Sequence, residues 1–121
     1  MTTELQAVVD SMQEKKAEDV AVLDLKKHTS MTDYFILCSA DSEPQIKAIY
    51  KNVEERLKKL GHRPDHVEGR ADTGWVLMDY DDFVVHIMLP DRRSYYDLER
   101  LWVGAPRMNF SDLKPAAQAA R

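Results

Sequence analysis

The 121-residue sequence predicts an α/β domain of the α+β kind, a mixed sheet of about five strands flanked by three helices. Apolar residues recur at helical spacing near the N-terminus and between residues 44 and 60, and short apolar runs rich in β-branched and aromatic residues alternate with these segments. Two further apolar runs, Trp75–Met78 and Phe83–Met88, follow each other with only a polar cluster between them, which adds an antiparallel hairpin to strands otherwise separated by helices.

Leu5, Val8, Val9 and Met12 follow the i, i+3, i+4, i+7 pattern of a one-sided helix, with Thr2 or Thr3 available as cap. Val20–Leu25 reads as a buried strand, Lys26–Thr32 as a polar connection, and Tyr34–Cys38 as a second strand. Asp41 and Ser42 end that strand and offer an N-cap. Pro44 suits a first helical turn, and Ile46, Ile49, Tyr50, Val53, Leu57 and Leu60 hold helical spacing up to the stop at Gly61. Arg63–Glu68 is expected as a short strand, Gly69–Gly74 as a loop, and Asp91–Trp102 as a third helix burying Tyr95, Leu98, Leu101 and Trp102. Tyr96, Glu99 and Arg100 then take its other side. The domain is expected to span residues 1–103, and residues 104–121, with two prolines and an Ala-rich end, a weakly ordered tail.

Seventeen Lys plus Arg against 21 Asp plus Glu give a net charge of -4, which disfavours a nonspecific grip on phosphate backbones and suits a basic protein partner. A single cysteine, Cys38, excludes an internal disulfide and a cysteine-based zinc site. No leader or membrane span is read, so a reducing cytoplasm is the expected location. His62 and His66 have the spacing of a metal pair, but Gly61 and Pro64 argue against a helix there, so neither metal nor cofactor is expected. Arg92 and Arg93, at the start of the third helix, gain nothing from its dipole; a partner contact is one reading and solvated arginines the favoured one.

The polar cluster Asp79-Tyr80-Asp81-Asp82 admits two readings. Asp79 and Asp81 form a D-x-D pair at a strand end, as a metal-dependent nucleotidyltransferase requires. Such enzymes also need a Gly-Ser pair opening a helix upstream, and here Gly61, Gly69 and Gly74 are followed by His62, Arg70 and Trp75. Asp is a preferred turn former, so a hairpin turn is the favoured reading. An even loop sets Trp75, Leu77, Val84, His86 and Met88 on one face and Val76, Met78, Phe83, Val85 and Ile87 on the other. The second face is purely apolar and suits the core. The first carries an indole N–H and an imidazole, and the residues alone leave open whether a helix covers it or a partner does.

Three segments in register carry a resemblance: Thr32-Asp-Tyr-Phe-Ile-Leu-Cys38 with Gln45-Ile-Lys-Ala-Ile49; Glu68-Gly69 with Gly74–Asp79 and Val84-Val-His-Ile87; and Arg93-Ser-Tyr-Tyr-Asp-Leu-Glu-Arg-Leu-Trp102. In this order and spacing the chain resembles the ribosomal silencing factors, or Iojap-like proteins, from about the first helix to Trp102. The resemblance implies a nucleotidyltransferase-like fold without the catalytic signature, and no enzymatic activity. It also implies binding to the large ribosomal subunit through its fourteenth large-subunit protein, which blocks joining of the small subunit and lowers translation when nutrients are scarce. By the same resemblance Trp75, His86 and Tyr96 match the family's characteristic surface residues, and Tyr80 occupies a hairpin-tip position that is usually apolar. The expected partner-binding set is Trp75, Leu77, Tyr80, His86, Met88 and Tyr96, on a face that is also expected to allow a homodimer when the protein is free. Asp81 replaces a usual glycine, which leaves the turn geometry as a question for the structure.

Overall fold

A computed structural model describes residues 2–97, 100 and 105–108. Helix α1 covers Thr2–Glu14 and α2 covers Glu43–Lys59, the latter capped by Ser42, whose Oγ accepts from the Gln45 N–H, and carrying Pro44 in its first turn. The strands are β1 Glu18–Asp24, β2 Tyr34–Ser39, β3 His66–Arg70, β4 Trp75–Asp79 and β5 Phe83–Met88, and α3 covers Pro90–Tyr96. They form one sheet in the order β1-β2-β5-β4-β3, with β2 and β5 parallel and every other neighbouring pair antiparallel. The expected mixed five-strand sheet with three helices is what the chain adopts.

Helices α1 and α2 pack on one face of this sheet. Leu5, Val8 and Met12 from α1 and Ile46, Ile49, Val53 and Leu57 from α2 are buried against Ile36, Cys38, Val76, Met78, Val85 and Ile87. Burial in this layer pushes the Cys38 thiol up to about 12, so at neutral pH it stays protonated and acts as a small apolar side chain. Leu60, expected on the apolar stripe, is instead the C-cap and is exposed, because the stripe ends one turn earlier at Leu57.

Several boundaries differ from expectation: β1 starts at Glu18 rather than Val20, Thr2 and Thr3 lie inside α1 rather than capping it, and three further differences bear on the sheet edges and the last helix. Strand β3 begins at His66 rather than Arg63, and Gly69 and Arg70, expected in a loop, belong to it. All five of its residues are exposed, so no apolar alternation marks its ends in the sequence. Gly69 is required there: its φ is 78°, and a Cβ on it would meet the Trp75 carbonyl oxygen at 2.1 Å. Helix α3 ends at Tyr96, where Asp97 turns left-handed at φ 46° and donates its N–H to the Arg93 carbonyl. Leu98, Glu99, Leu101 and Trp102, placed by the sequence on a longer helix, lie outside the described residues.

The third difference is at the other edge of the sheet. The segment 105–108, at the start of the expected tail, runs antiparallel to β1: Asp24 donates its N–H to the Pro106 carbonyl and Met108 donates to Val22, each at 2.9 Å. Met108 reaches the main core and Ala105 packs on Leu23, Leu25 and Leu37 on the opposite face. Pro106 lacks an N–H but offers its carbonyl, so proline does not prevent this short pairing.

Candidate protein-binding face

The hairpin has the register that parity requires, with Trp75 opposite Met88, Leu77 opposite His86 and Asp79 opposite Val84. Its tip is a tight turn. Tyr80 donates its N–H to the Phe83 carbonyl, Asp82 donates to the Tyr80 carbonyl, and Asp81 between them has φ 74°, the pattern of a γ-turn. Asp81 thus adopts the positive φ that glycine takes more easily. The Asp79 carboxylate accepts the Asp81 N–H at 2.8 Å, and the Asp82 carbonyl accepts from both Asp33 and Tyr34 at the start of β2. Asp79 and Asp82 are therefore engaged in building the turn, which favours the hairpin reading over a metal-holding D-x-D pair. Among the described residues, no three His, Cys, Asp or Glu side chains are grouped to hold a metal ion.

The sheet face away from α1 and α2 carries Phe35 and Leu37 of β2, Val84, His86 and Met88 of β5, and Trp75 and Leu77 of β4. The six residues expected to meet a partner are not equivalent here. Trp75 and Leu77 are half-buried, whereas His86 is 2 % and Met88 0 % exposed, so these two lie beneath the surface. Both stand on the central strand β5, whereas Val84 on the same strand and face is half-buried. Tyr80 is on the other face altogether, 8 % exposed and stacked on Phe83 in the main core at a ring distance of 5.0 Å. The same parity that sorts the strands puts Tyr80 with Phe83. Its phenol is pushed upward by burial, and its hydroxyl has no hydrogen-bond partner among the described residues. The backbone of Tyr96 is the last turn of α3, and its side chain lies outside the description.

The two polar groups on the outer face meet each other. The Trp75 Nε1–H donates to His86 Nδ1 at 3.2 Å, and Phe35 stands edge-on to the imidazole at 4.6 Å. Burial lowers the His86 pKa to about 3, so at neutral pH the ring is uncharged and Nδ1 accepts. Its proton must then be on Nε2, which is buried without a hydrogen-bond partner among the described residues. The result is an indole held in one orientation by a group underneath it, with a half-exposed side.

Helix α3 borders this face. Leu89 donates its N–H to the Gly74 carbonyl, and a Cβ on Gly74 would meet Arg92 and Leu89 at 3.1 and 3.2 Å, so this glycine lets the helix sit close to the turn before β4. Arg93, read from sequence as solvated, is half-buried and donates to the Asp19 carbonyl at 2.7 Å and to Ser39 Oγ at 3.1 Å. Tyr95, expected in the core, is 79 % exposed. The expectation took its phase from Leu98 and Trp102 on an unbroken helix, and the left-handed residue Asp97 breaks that phase. Arg92 and Tyr95 stand three positions apart on one flank of α3; the sequence reading weighed a partner contact for Arg92 as the less favoured alternative and placed Tyr95 in the core. Arg92 lines a small groove of about 280 Å³ with Glu68, Thr73, Trp75 and Leu77.

Together, fold and site describe a small α+β domain that holds a preoriented tryptophan on a sheet face bordered by a helix. Residues 1–121 match the family described as "Ribosomal silencing factor during starvation". The chain is 38 % identical over 106 residues to the ribosomal silencing factor RsfS of Halalkalibacterium halodurans, covering 88 % of this chain and 91 % of that one. A crystal structure of a Chromobacterium violaceum protein is similar with a TM-score of 0.79 and 35 % identity, over 98 % of this chain and 96 % of the other. A more distant relative is the mouse "Mitochondrial assembly of ribosomal large subunit protein 1", 29 % identical over 82 % of this chain and 45 % of its own length. The chain belongs to the ribosomal silencing factor family.

Proposed function

We propose that this protein binds the large ribosomal subunit through its fourteenth large-subunit protein and thereby blocks joining of the small subunit, repressing translation in the cytoplasm. The observation that carries this reading is the Trp75 indole, fixed by His86 at the centre of a face that α1 and α2 leave uncovered. Such a rigid aromatic sharing a groove with Arg92, on a helix that also exposes Tyr95, has the composition of an interface hot spot. The mouse relative's name, which refers to assembly of the large ribosomal subunit, supports the choice of subunit. In this reading Trp75, Leu77, Arg92, Tyr95 and Tyr96 supply the contact, while His86 and Met88 hold it from below. The net charge of -4 favours approach to a basic ribosomal protein.

Inhibition is steric and uses no chemistry: a domain of this size lying on the subunit interface occupies volume that the small subunit needs. When free, the same face pairs with a second copy of the chain, and ribosome binding competes with that pairing. Co-sedimentation with isolated ribosomal subunits tests the reading. Binding to the large subunit alone, lost in Trp75→Ala with the fold retained by circular dichroism, is the expected result. Equal binding of wild type and variant would exclude this face as the contact, and binding to neither subunit would overturn the proposal.

A further inference from the structure

A concavity lies on the other side of the sheet from Trp75, between the outer flank of α2 and the edge strand β3. It has a volume of about 790 Å³, in the range of ligand and peptide sites. Val67 of β3 pairs with Met78 and Gly69 pairs with Val76, so Val67 belongs to the face of the sheet that α1 and α2 cover elsewhere. The helices do not reach it, and Val67 is 39 % exposed. The floor is made by Val67, Val76, Tyr50 and Ala71, with Lys47 and Lys51 on the α2 rim and Arg70 opposite. Lys47 and Lys51 are one helical turn apart, both exposed, and neither forms an ion pair among the described residues. β3 is also the last strand of the sheet among the described residues, so its outer backbone groups face outward beside the groove.

We propose that this groove is a second protein-docking site, taking an extended acidic peptide segment that lies along β3. Its apolar side chains rest on Val67, Tyr50 and Val76, and its carboxylates face Lys47 and Lys51. Two features select a peptide over a polyphosphate or nucleic-acid strand. Glu43 and Asp72 also line the groove, and Asp72 already pairs with Arg70 at 3.2 Å, so a ligand charged at every unit meets repulsion along part of its length. A peptide places charge only at chosen positions, and an exposed edge strand offers it backbone partners. An apolar floor with a charged rim has the anatomy of a protein interface. The groove lies across the sheet from Trp75 and shares only Gly69 with the small groove beside that residue, so its occupancy can be tested independently of Trp75.

The test is a titration of the folded full chain with a labelled ten-residue peptide alternating Glu with Val or Ile, its Lys-for-Glu counterpart, and inorganic polyphosphate, followed by amide chemical shifts. The acidic peptide is expected to bind and to shift Lys47, Lys51, Val67 and Val76. Its affinity should fall about tenfold in a Lys47→Glu, Lys51→Glu variant and also in Val67→Asp, all three exposed positions, and persist in Trp75→Ala. No binding at millimolar peptide, equal binding of the Lys counterpart, stronger binding of polyphosphate, or shifts confined to the Trp75 face would each overturn the proposal. Because Trp75→Ala separates the two sites, failure here leaves the ribosomal reading intact, and the reverse also holds.

Discussion

The two faces of the sheet are built from alternate residues of the same strands, yet they serve different ends. On the face under α1 and α2, Ile36, Val76, Met78, Val85 and Ile87 carry no polar side-chain atom except the thioether and are at most 3 % exposed. On the opposite face Trp75, His86 and Phe35 form a mixed aromatic cluster whose outermost members stay half-exposed. The first face maximises apolar area removed from water. The second leaves some area exposed and fixes its shape, with Trp75 and His86 using their polar atoms on each other. That contrast is what the proposed function draws on: a surface meant for binding needs rigidity without complete burial.

Substitutions on each side should separate these roles. The largest effect is expected from Ile49→Ala, under the covered face, which should cost about 2–5 kcal/mol of stability in chemical denaturation because a fully buried side chain leaves a cavity. If it cost no more than Trp75→Ala, the two faces would not differ as described. Trp75→Ala should weaken large-subunit binding by about thirtyfold or more, the loss of a hot spot worth about 2 kcal/mol, with a smaller loss of stability than Ile49→Ala.

His86→Leu keeps an apolar body of similar reach and removes the acceptor beneath the indole, at about 1–2 kcal/mol of stability for the stranded N–H. The Trp75 indole N–H resonance should shift and broaden. A pH series sharpens this prediction. The imidazole is lowered from 6.5 to about 3 in the fold, so between these values the unfolded chain binds the proton and the folded chain does not. Stability should therefore be highest above about pH 6.5 and fall as pH drops towards 3, and His86→Leu should flatten that part of the curve. An unchanged slope in the variant would assign the acid sensitivity elsewhere. The smallest effect is expected from Asp81→Gly, which relieves the positive φ at the hairpin tip for a gain of up to about 1 kcal/mol, read as a small rise in Tm.

Much of this was legible in the sequence. The spacing in α1 and α2, the Ser42 cap and the parity of the hairpin depend on local periodicity and on one even-numbered loop, and each appears at the stated residues. The depth of His86 and Met88 was not legible, because parity assigns a face but not the position of a strand within the sheet, and β5 turns out to be central. Tyr80 was misassigned through the resemblance although parity already placed it with Phe83. The exposure of Tyr95 was hidden by a change of helical phase at Asp97, which no apolar pattern announces. The pairing of residues 106 and 108 with β1 joins segments about 80 positions apart, and nothing local encodes it.

Arg93 has a consequence for the order in which the molecule can become active. It ties α3 to Asp19, 74 positions earlier in the chain, and to Ser39, and so sets the helix that borders Trp75. Contacts of such long range close only after nearly all of the chain is available. Until α3 has been synthesised the border of the Trp75 face is therefore incomplete, so on the proposed function the ribosome making this protein is protected from its own product until synthesis is well advanced.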